Sequence, residues 1–316
     1  MTPPSNLCDA RGTRKRCQQR AISQRAISLK AWCGEKKKRT NLSKIARVPP
    51  LGASVRIESL QKIMKLTILG SGTIVPSGSR NSAGYFVELP GARVMMDCGA
   101  GTLHALARYD RPWEQMTHLF ISHFHADHIG ELASLFFAFR YGMKADRREP
   151  LTVVGPFGLD RVMEGLRMAF GSRLFETRFP VIVRMTAPGE ALKLGDDATL
   201  SVAKTPHTEE SLAIRIESRG RAIGYTGDTD YSEELTVFFK NADVLVSECS
   251  FREPRPGVRH LSVRQAAHLA ARADVRKLIV THFYFEVNEA ELRTELEREY
   301  SGEVIIGRDG LVVEVA

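Results

Sequence analysis

Between residues 118 and 132 the chain reads HLFISHFHADHIGEL, which places His123, His125, Asp127 and His128 within six positions. Imidazole and carboxylate are the usual protein ligands of zinc and related divalent ions. The group follows the apolar run Leu119-Phe120-Ile121 and precedes an apolar helix-like stretch. Polar rings at the edge of a core are costly unless something pairs with them. Alternate residues of an extended chain share a face, so His123 and His125 point the same way. A turn into a helix near Ile129 then aims Asp127 and His128 back toward them. One such cluster cannot fill two coordination shells. Three further donors end apolar runs downstream: His207 in LSVAKTPH, Asp228 in AIGYTGDT and His282 in VRKLIVTH. A lone strand-end His or turn Asp carries little weight. Together with the first four they make seven donors, a number that suits two metals sharing one carboxylate.

These donors need a scaffold that brings loop ends together. Strand-like runs are expected at 64–69, 85–89, 92–96, 117–122, 151–155, 179–185, 198–204, 211–217, 221–226, 243–248, 276–281, 303–306 and 311–315. Helix-like patterns are expected at 101–109, 129–143, 158–170, 233–241, 261–273 and 288–300, the last with Asn288 as its N-cap. Many strands, some adjacent and some separated by helices, predict an α/β fold of two packed sheets with helices outside.

The chain has 316 residues and 43% hydrophobic content, enough for a sizeable core. No apolar run approaches the ~18 residues needed to cross a bilayer, so a soluble protein without a membrane partner is expected. The net charge of +8 is unevenly spread. Residues 1–63 hold 15 Lys and Arg against 3 Asp and Glu, whereas the remainder holds 30 against 34. The body therefore lacks the basic footprint of a polyanion groove. Residues 1–63 show no steady period and few large apolar residues, and are expected to be a basic, disordered leader. Met64 is expected to begin the folded domain, residues 64–316. Cys8, Cys17 and Cys33 lie in the leader and Cys98 and Cys249 in the body. Their odd number and spacing match no disulfide framework or zinc knuckle, which points to a reducing, cytoplasmic compartment.

SHFHADH, followed by His207, GDT and THF, resembles the metallo-β-lactamase superfamily and in particular its ribonuclease Z-like branch. LGSGTIVPSGSRNSAG is similar to that branch's opening strand and loop, and MMDCGAGT to its buried-aspartate motif. LVSECSF, HLSVRQAAHLA and RDGLVVEV resemble later segments, so the likeness spans residues 64–316. It implies an αββα four-layer sandwich of two mixed β-sheets with outer helices, the metallo-β-lactamase fold. It implies a metal-dependent hydrolase, a phosphodiesterase with two divalent ions, zinc first. One ion would be held by His123, His125 and His207 and the other by Asp127, His128 and His282, with Asp228 bridging. A water shared by the ions would then exist as hydroxide near neutral pH and attack phosphorus in line. Asp127 and His260 would be the catalytic residues, Asp127 orienting or deprotonating the water and His260 assisting the leaving oxygen. A surface role for His260 stays open. Asp97 would orient ligands from behind or simply cap its loop.

The branch's bacterial nucleases carry a transfer-RNA-gripping arm between the positions of His207 and Asp228. Here that stretch reads as a hairpin without an arm. FYFE stands where the branch carries Ser-x-Arg-Tyr after its last ligand, and Ala100 and Leu103 stand where polar residues follow DCG. An RNA endonuclease active in tRNA processing and an enzyme for small or cyclic phosphodiesters therefore both stay open. The alternative is a lactone or thioester hydrolase of the same fold; a carboxylate at Asp228 disfavours lactams. A di-iron oxygen- or nitric-oxide-reducing module expects a carboxylate near His125, and there is none. LGSGT alone is a weak phosphate-loop match, with no P-loop Lys-Ser/Thr following. His104 and His118 read as ordinary half-exposed residues, and His268 has no assigned role. Cys98 and Cys249 read as small core residues. The stripe Phe136, Phe137, Phe139 and Tyr141 reads as core or homodimer packing. Arg140, Lys144, Arg147 and Arg148 read as a solvated loop.

Overall fold

The computed structural model describes residues 63–144 and 146–316. The leader expected over 1–63 thus lies outside the described residues, Ile63 excepted. The strands are β1 (Met64–Gly70), β2 (Gly84–Leu89), β3 (Ala92–Met96), β4 (His118–Phe120), β5 (Leu151–Gly155), β6 (Val181–Met185) and β7 (Ala191–Lys193). They continue with β8 (Ala198–Lys204), β9 (Leu212–Ser218), β10 (Arg221–Tyr225), β11 (Val244–Glu248), β12 (Lys277–Thr281), β13 (Glu303–Ile306) and β14 (Val312–Val315). Two seven-stranded mixed sheets result, in the orders β14-β1-β2-β3-β4-β5-β6 and β13-β12-β11-β10-β9-β8-β7.

The helices are α1 (Thr102–Arg108), α2 (Ala126–Ile129), α3 (Leu132–Tyr141), α4 (Leu159–Phe170), α5 (Glu233–Phe238), α6 (Val263–Arg272) and α7 (Glu289–Glu297). Leu66, Ile68, Val87 and Met96 of the first sheet pack against Leu200, Ile214, Val246 and Ile279 of the second. On the first sheet's outer face Phe86, Met95 and Leu119 meet Leu106, Phe136 and Leu159 of α1, α3 and α4. On the second sheet's outer face Leu245 and Leu278 meet Leu235, Leu269 and Leu292 of α5, α6 and α7. The order is helix, sheet, sheet, helix, as expected. With both faces covered, β2 and β11 are buried along almost their whole lengths and read as continuous apolar runs.

The helix expected at 129–143 is instead two helices. Gly130 and Glu131 interrupt it: the Glu131 N–H bonds the Cys98 carbonyl, and its carboxylate accepts the Leu103 N–H at 2.6 Å at the start of α1. Asp127 and His128 therefore lie inside the single turn of α2, not in a loop before the helix. The three-residue edge strand β7 carries no legible pattern and was not expected. No helix among the described residues is long and apolar enough to cross a membrane.

Candidate metal centre

After β4 the chain remains extended through His125 (φ −65°, ψ 148°), which starts α2. His123 thereby points into the interior, fully buried, and the ring centroids of His123 and His125 lie 4.6 Å apart. The α2 turn swings Asp127 and His128 inward. The second sheet supplies the other donors from the C-terminal ends of β8, β10 and β12. His207 follows β8 by three residues; its Nδ1 lies 2.8 Å from the Arg259 carbonyl, and Arg259 donates in return to the His207 carbonyl. That clamp frees Nε2, which comes to 3.2 Å from His125 Nδ1. Asp228 follows β10 across Gly227, whose φ is 58°. A Cβ at 227 would sit 3.1 Å from the Leu212 carbonyl and the Ser122 side chain, so the two strand ends close only around glycine. His282 itself has φ 61°, an uncommon conformation for a side chain with a Cβ. Its N–H bonds the Ser71 carbonyl and its Nδ1 lies 3.0 Å from Ser250 Oγ, which holds the strained residue in place.

All seven sequence-predicted donors meet in one cluster. Donor atoms of His123, His125, His207 and Asp228 lie within 4.8 Å of one another, as do those of Asp127, His128 and His282. Asp228 Oδ2 is 3.7 Å and 3.8 Å from the Nε2 atoms of His123 and His207. Its Oδ1 is 3.3 Å and 3.5 Å from those of His128 and His282. One carboxylate thus turns one oxygen to each set. His123 Nε2 and His128 Nε2 are buried without any hydrogen-bond partner. Orphaned imidazole nitrogens aimed at a carboxylate suit a cation between them, and nitrogen with oxygen is the donor chemistry of divalent metal binding. Burial of Asp228 favours its neutral form, but the charges of His282, His128 and His123 win and hold it well below the usual carboxylate range. Burial, reinforced by repulsion from His128, pushes His123 well down. Burial opposes charge on His128 too, yet Asp228 and Asp97 push its pKa well up.

Behind the ligands stands Asp97, fully buried, with φ 59°. Its carboxylate accepts from Ser122 N–H and Ser122 Oγ, both at 2.7 Å, and from the Tyr225 hydroxyl at 2.6 Å; His128 Nδ1 is 2.7 Å away. This fixes which His128 nitrogen faces Asp228. The loop-cap alternative for Asp97 understates its contacts.

A family profile described as Anti-Pycsar protein Apyc1 matches residues 64–298. The chain belongs to this family. It is 30% identical over 254 residues to the probable metallo-hydrolase YhfI of Bacillus subtilis, covering 79% of this chain and 100% of the relative. It is 29% identical over 277 residues to a ribonuclease Z of Mycobacterium bovis, covering 80% of this chain and 99% of that one. The crystal structure of the metallo-β-lactamase fold protein YhfI matches with a TM-score of 0.69 at 28% identity, over 80% of this chain and 99% of that chain. The protein is thus a hydrolase of the metallo-β-lactamase superfamily, in its ribonuclease Z-like branch.

His260 sits at the cluster's edge and not on the open surface, its ring centroid 4.7 Å from that of His207. Its Nδ1 is 3.0 Å from Glu248 Oε2 and 3.8 Å from Asp228 Oδ2. Burial disfavours its charged form, but Glu248 outweighs burial and raises the pKa. Sequence reasoning did not single out Glu248, which is buried at the end of β11. Glu248 also accepts from Thr229 N–H and Ser250 Oγ, each at 2.5 Å, and burial raises its pKa. The available signal was a carboxylate closing an apolar strand, a position that is costly unless paired. Tyr284, stacked on Phe251 at 5.4 Å, lies 5.6 Å from His282 and was also missed.

The remaining candidates lie elsewhere. His104 and His268 are exposed, His268 beside Tyr231. Cys98 and Cys249 are fully buried, and burial pushes both thiols up. Phe136 and Phe139 belong to the core, while Phe137 stacks on Tyr141, which is 70% exposed. Arg147 is a correction: it is buried, donates to the carbonyls of Glu114, Glu149 and Pro150, and lies 4.2 Å over the Phe179 ring. Arg140 likewise ties down the Arg173 and Glu176 carbonyls. Lys144 and Arg148 are exposed as expected.

Proposed function

We propose that the chain is a phosphodiesterase that works with two divalent ions, zinc first. His123, His125 and His207 would hold one ion and Asp127, His128 and His282 the other, with Asp228 shared between the two sets. The observation that carries this reading is the Asp228 carboxylate, whose two oxygens face the two histidine sets separately. Divalent ions held there supply Lewis acidity, neutralising phosphoryl oxygens and making a water acidic enough to serve as nucleophile near neutral pH. Asp127, with Oδ2 3.3 Å from His282 Nε2, keeps its second oxygen for orienting or deprotonating that water. His260, held by Glu248, donates a hydrogen bond or proton to the leaving oxygen. Charge on the transferred phosphoryl group is met by preset groups, which is where electrostatic catalysis gains most.

Small or cyclic phosphodiesters fit better than transfer RNA. The β9–β10 hairpin pairs Leu212–Ser218 with Arg221–Tyr225 in the stretch where the nucleases of this branch would carry their arm. The acidic balance of residues 64–316 supports the same choice. Among the described residues, the unpaired, buried Cys98 and Cys249 agree with action in a reducing compartment.

The test is metal analysis of the purified protein followed by parallel assays on bis-p-nitrophenyl phosphate, a precursor transfer RNA and a lactone. Two equivalents of metal and turnover of the phosphodiester are expected. Lactone turnover alone would overturn the reading.

A further inference from the structure

After β12 the chain reads Phe283-Tyr284-Phe285, and the three rings take different surroundings. Phe283 is buried in the cluster on the second sheet's outer face, and Phe285 packs against that cluster. Tyr284 belongs to none of the three core clusters and is 36% exposed. It lies against the metal cluster instead. Its ring centroid is 5.6 Å from that of His282 and 6.0 Å from that of His260, and the ring stacks on Phe251. One side chain therefore packs beside both a candidate ligand and the residue assigned to the leaving oxygen.

Its position is held by the same groups that hold His282. The Tyr284 N–H bonds the Ser250 carbonyl at 3.1 Å, and Ser250 Oγ lies 3.0 Å from His282 Nδ1. The ring also lines a cavity of about 450 Å³ with Gly72 and Thr73, and Ser71, just before them, accepts the His282 N–H. Tyr284 is thus where the cavity and the metal cluster meet.

The Tyr284 hydroxyl has the Thr73 hydroxyl as its hydrogen-bonding neighbour and the carboxylates of Asp127, Asp228 and Glu248 as charged neighbours. Phenylalanine would stack on Phe251 equally well, so packing does not account for the hydroxyl. A phenol carries its proton at neutral pH and can donate it to a hydrogen bond. Thr73 Oγ1 already accepts the Val75 N–H and can donate to the phenolic oxygen, which leaves the phenolic proton for another acceptor. A phosphoryl group brought beside three carboxylates needs preset donors as well as cations. Arg80 and Arg259 donate to the Gly307 and His207 carbonyls instead.

We infer that Tyr284 is a further catalytic residue, whose O–H donates a hydrogen bond to a non-bridging oxygen of the phosphoryl group while His260 serves the leaving oxygen. The inference rests on the phosphodiesterase reading.

The metal-loaded full chain is assayed on bis-p-nitrophenyl phosphate. Its hydrolysis bonds a water oxygen to phosphorus, expels p-nitrophenolate with the electron pair and releases a proton. Tyr284→Phe keeps the ring on Phe251 and removes the donor alone. Loss of one preset donor to a developing oxyanion typically lowers kcat about a hundredfold. A fall of that order is expected in Tyr284→Phe, with a smaller change in KM and with metal content and Tm unchanged. Calorimetric binding of inorganic phosphate to the metal-loaded proteins reads the same donor without turnover, and should weaken about tenfold. Lower kcat together with weaker phosphate binding supports the assignment. Parent-like turnover and phosphate binding in Tyr284→Phe, with both impaired in Tyr284→Ala, would reduce the ring to a brace for its neighbours and overturn it. Loss of metal in Tyr284→Phe would also overturn it, by making Tyr284 a support for His282. Phosphate binding that depends on the hydroxyl, in a protein that turns over no diester, would uphold the donor and sink the phosphodiesterase reading instead.

Discussion

Asp97 receives three hydrogen bonds from Ser122 and Tyr225 and also faces His128, all through one buried carboxylate. Replacing it by Asn keeps the shape but sets an amide against groups that need an acceptor. Asp97→Asn is expected to weaken metal affinity about 10- to 100-fold, measured by competition with a chromogenic chelator. Unchanged affinity would reduce Asp97 to a loop-shaping role. Asp228→Ala should abolish turnover while the far-ultraviolet circular dichroism stays that of the parent, because Asp228 lies outside all three core clusters. His260→Ala should lower turnover and leave metal content intact, and Glu248→Gln should lower it as well through the loss of the carboxylate that favours the charged form of His260. Metal loss in His260→Ala would make that histidine a ligand. The candidate ligands were legible because imidazole and carboxylate at strand ends have few other uses. Glu248 and Tyr284 were not, because a single Glu or Tyr after an apolar run has the same local appearance in structural roles.

Elements were legible where periodicity and burial agree. The strands covered on both faces read as apolar runs and were placed within a residue or two; for example β5 spans Leu151–Gly155 as expected. The helix expected at 129–143 is two helices because the Glu131 N–H and carboxylate are used by Cys98 and Leu103, partners 33 and 28 residues away in sequence. No local pattern reports such a tertiary bond. Two elements carry testable energetics. Ser262 and Gln265 form a reciprocal capping box at the start of α6. Ser262→Ala should destabilise the protein by about 1 kcal/mol, which lowers Tm by roughly 2–4 °C in a domain of this size. At the start of β4, burial pushes the His118 pKa down to about 4 from its model-peptide value of 6.5. Between those two values the unfolded chain binds a proton that the folded chain refuses. Stability attributable to His118 is thus complete above about pH 6.5 and falls as the pH drops toward 4. The loss should reach roughly 1–3 kcal/mol, since each pKa unit is worth about 1.4 kcal/mol and the ring keeps some contact with solvent. Urea midpoints between pH 4 and 7 should therefore fall less steeply for His118→Gln than for the parent. Identical slopes would assign the acid sensitivity to other groups.

At the scale of the molecule the centre is a seam. His123, His125, Asp127 and His128 follow β4 of one sheet, whereas His207, Asp228 and His282 follow β8, β10 and β12 of the other. The sheets already share a continuous apolar interface from Met64 to Val315, so their packing does not depend on the seam. Ions bound there would nonetheless fasten loops from both sheets to one another and give partners to the buried, unpaired Nε2 atoms of His123 and His128. A ligand that binds only the folded state stabilises it by about 2.7 kcal/mol at a hundredfold excess over its Kd. Stripping the metal with a chelator should therefore lower Tm by roughly 5–10 °C, and dialysis against zinc should restore it. The apolar interface predicts that the stripped protein keeps its far-ultraviolet spectrum at 25 °C. Because all the donors and both sheets lie within 64–316, residues 64–316 expressed alone should show the same chelator-dependent shift as the full chain. A shift seen only in the full chain would place part of the metal dependence in residues 1–63. A full chain whose Tm ignores chelator and zinc alike would mean that the seam holds no ion, and the mechanism built on it would fall.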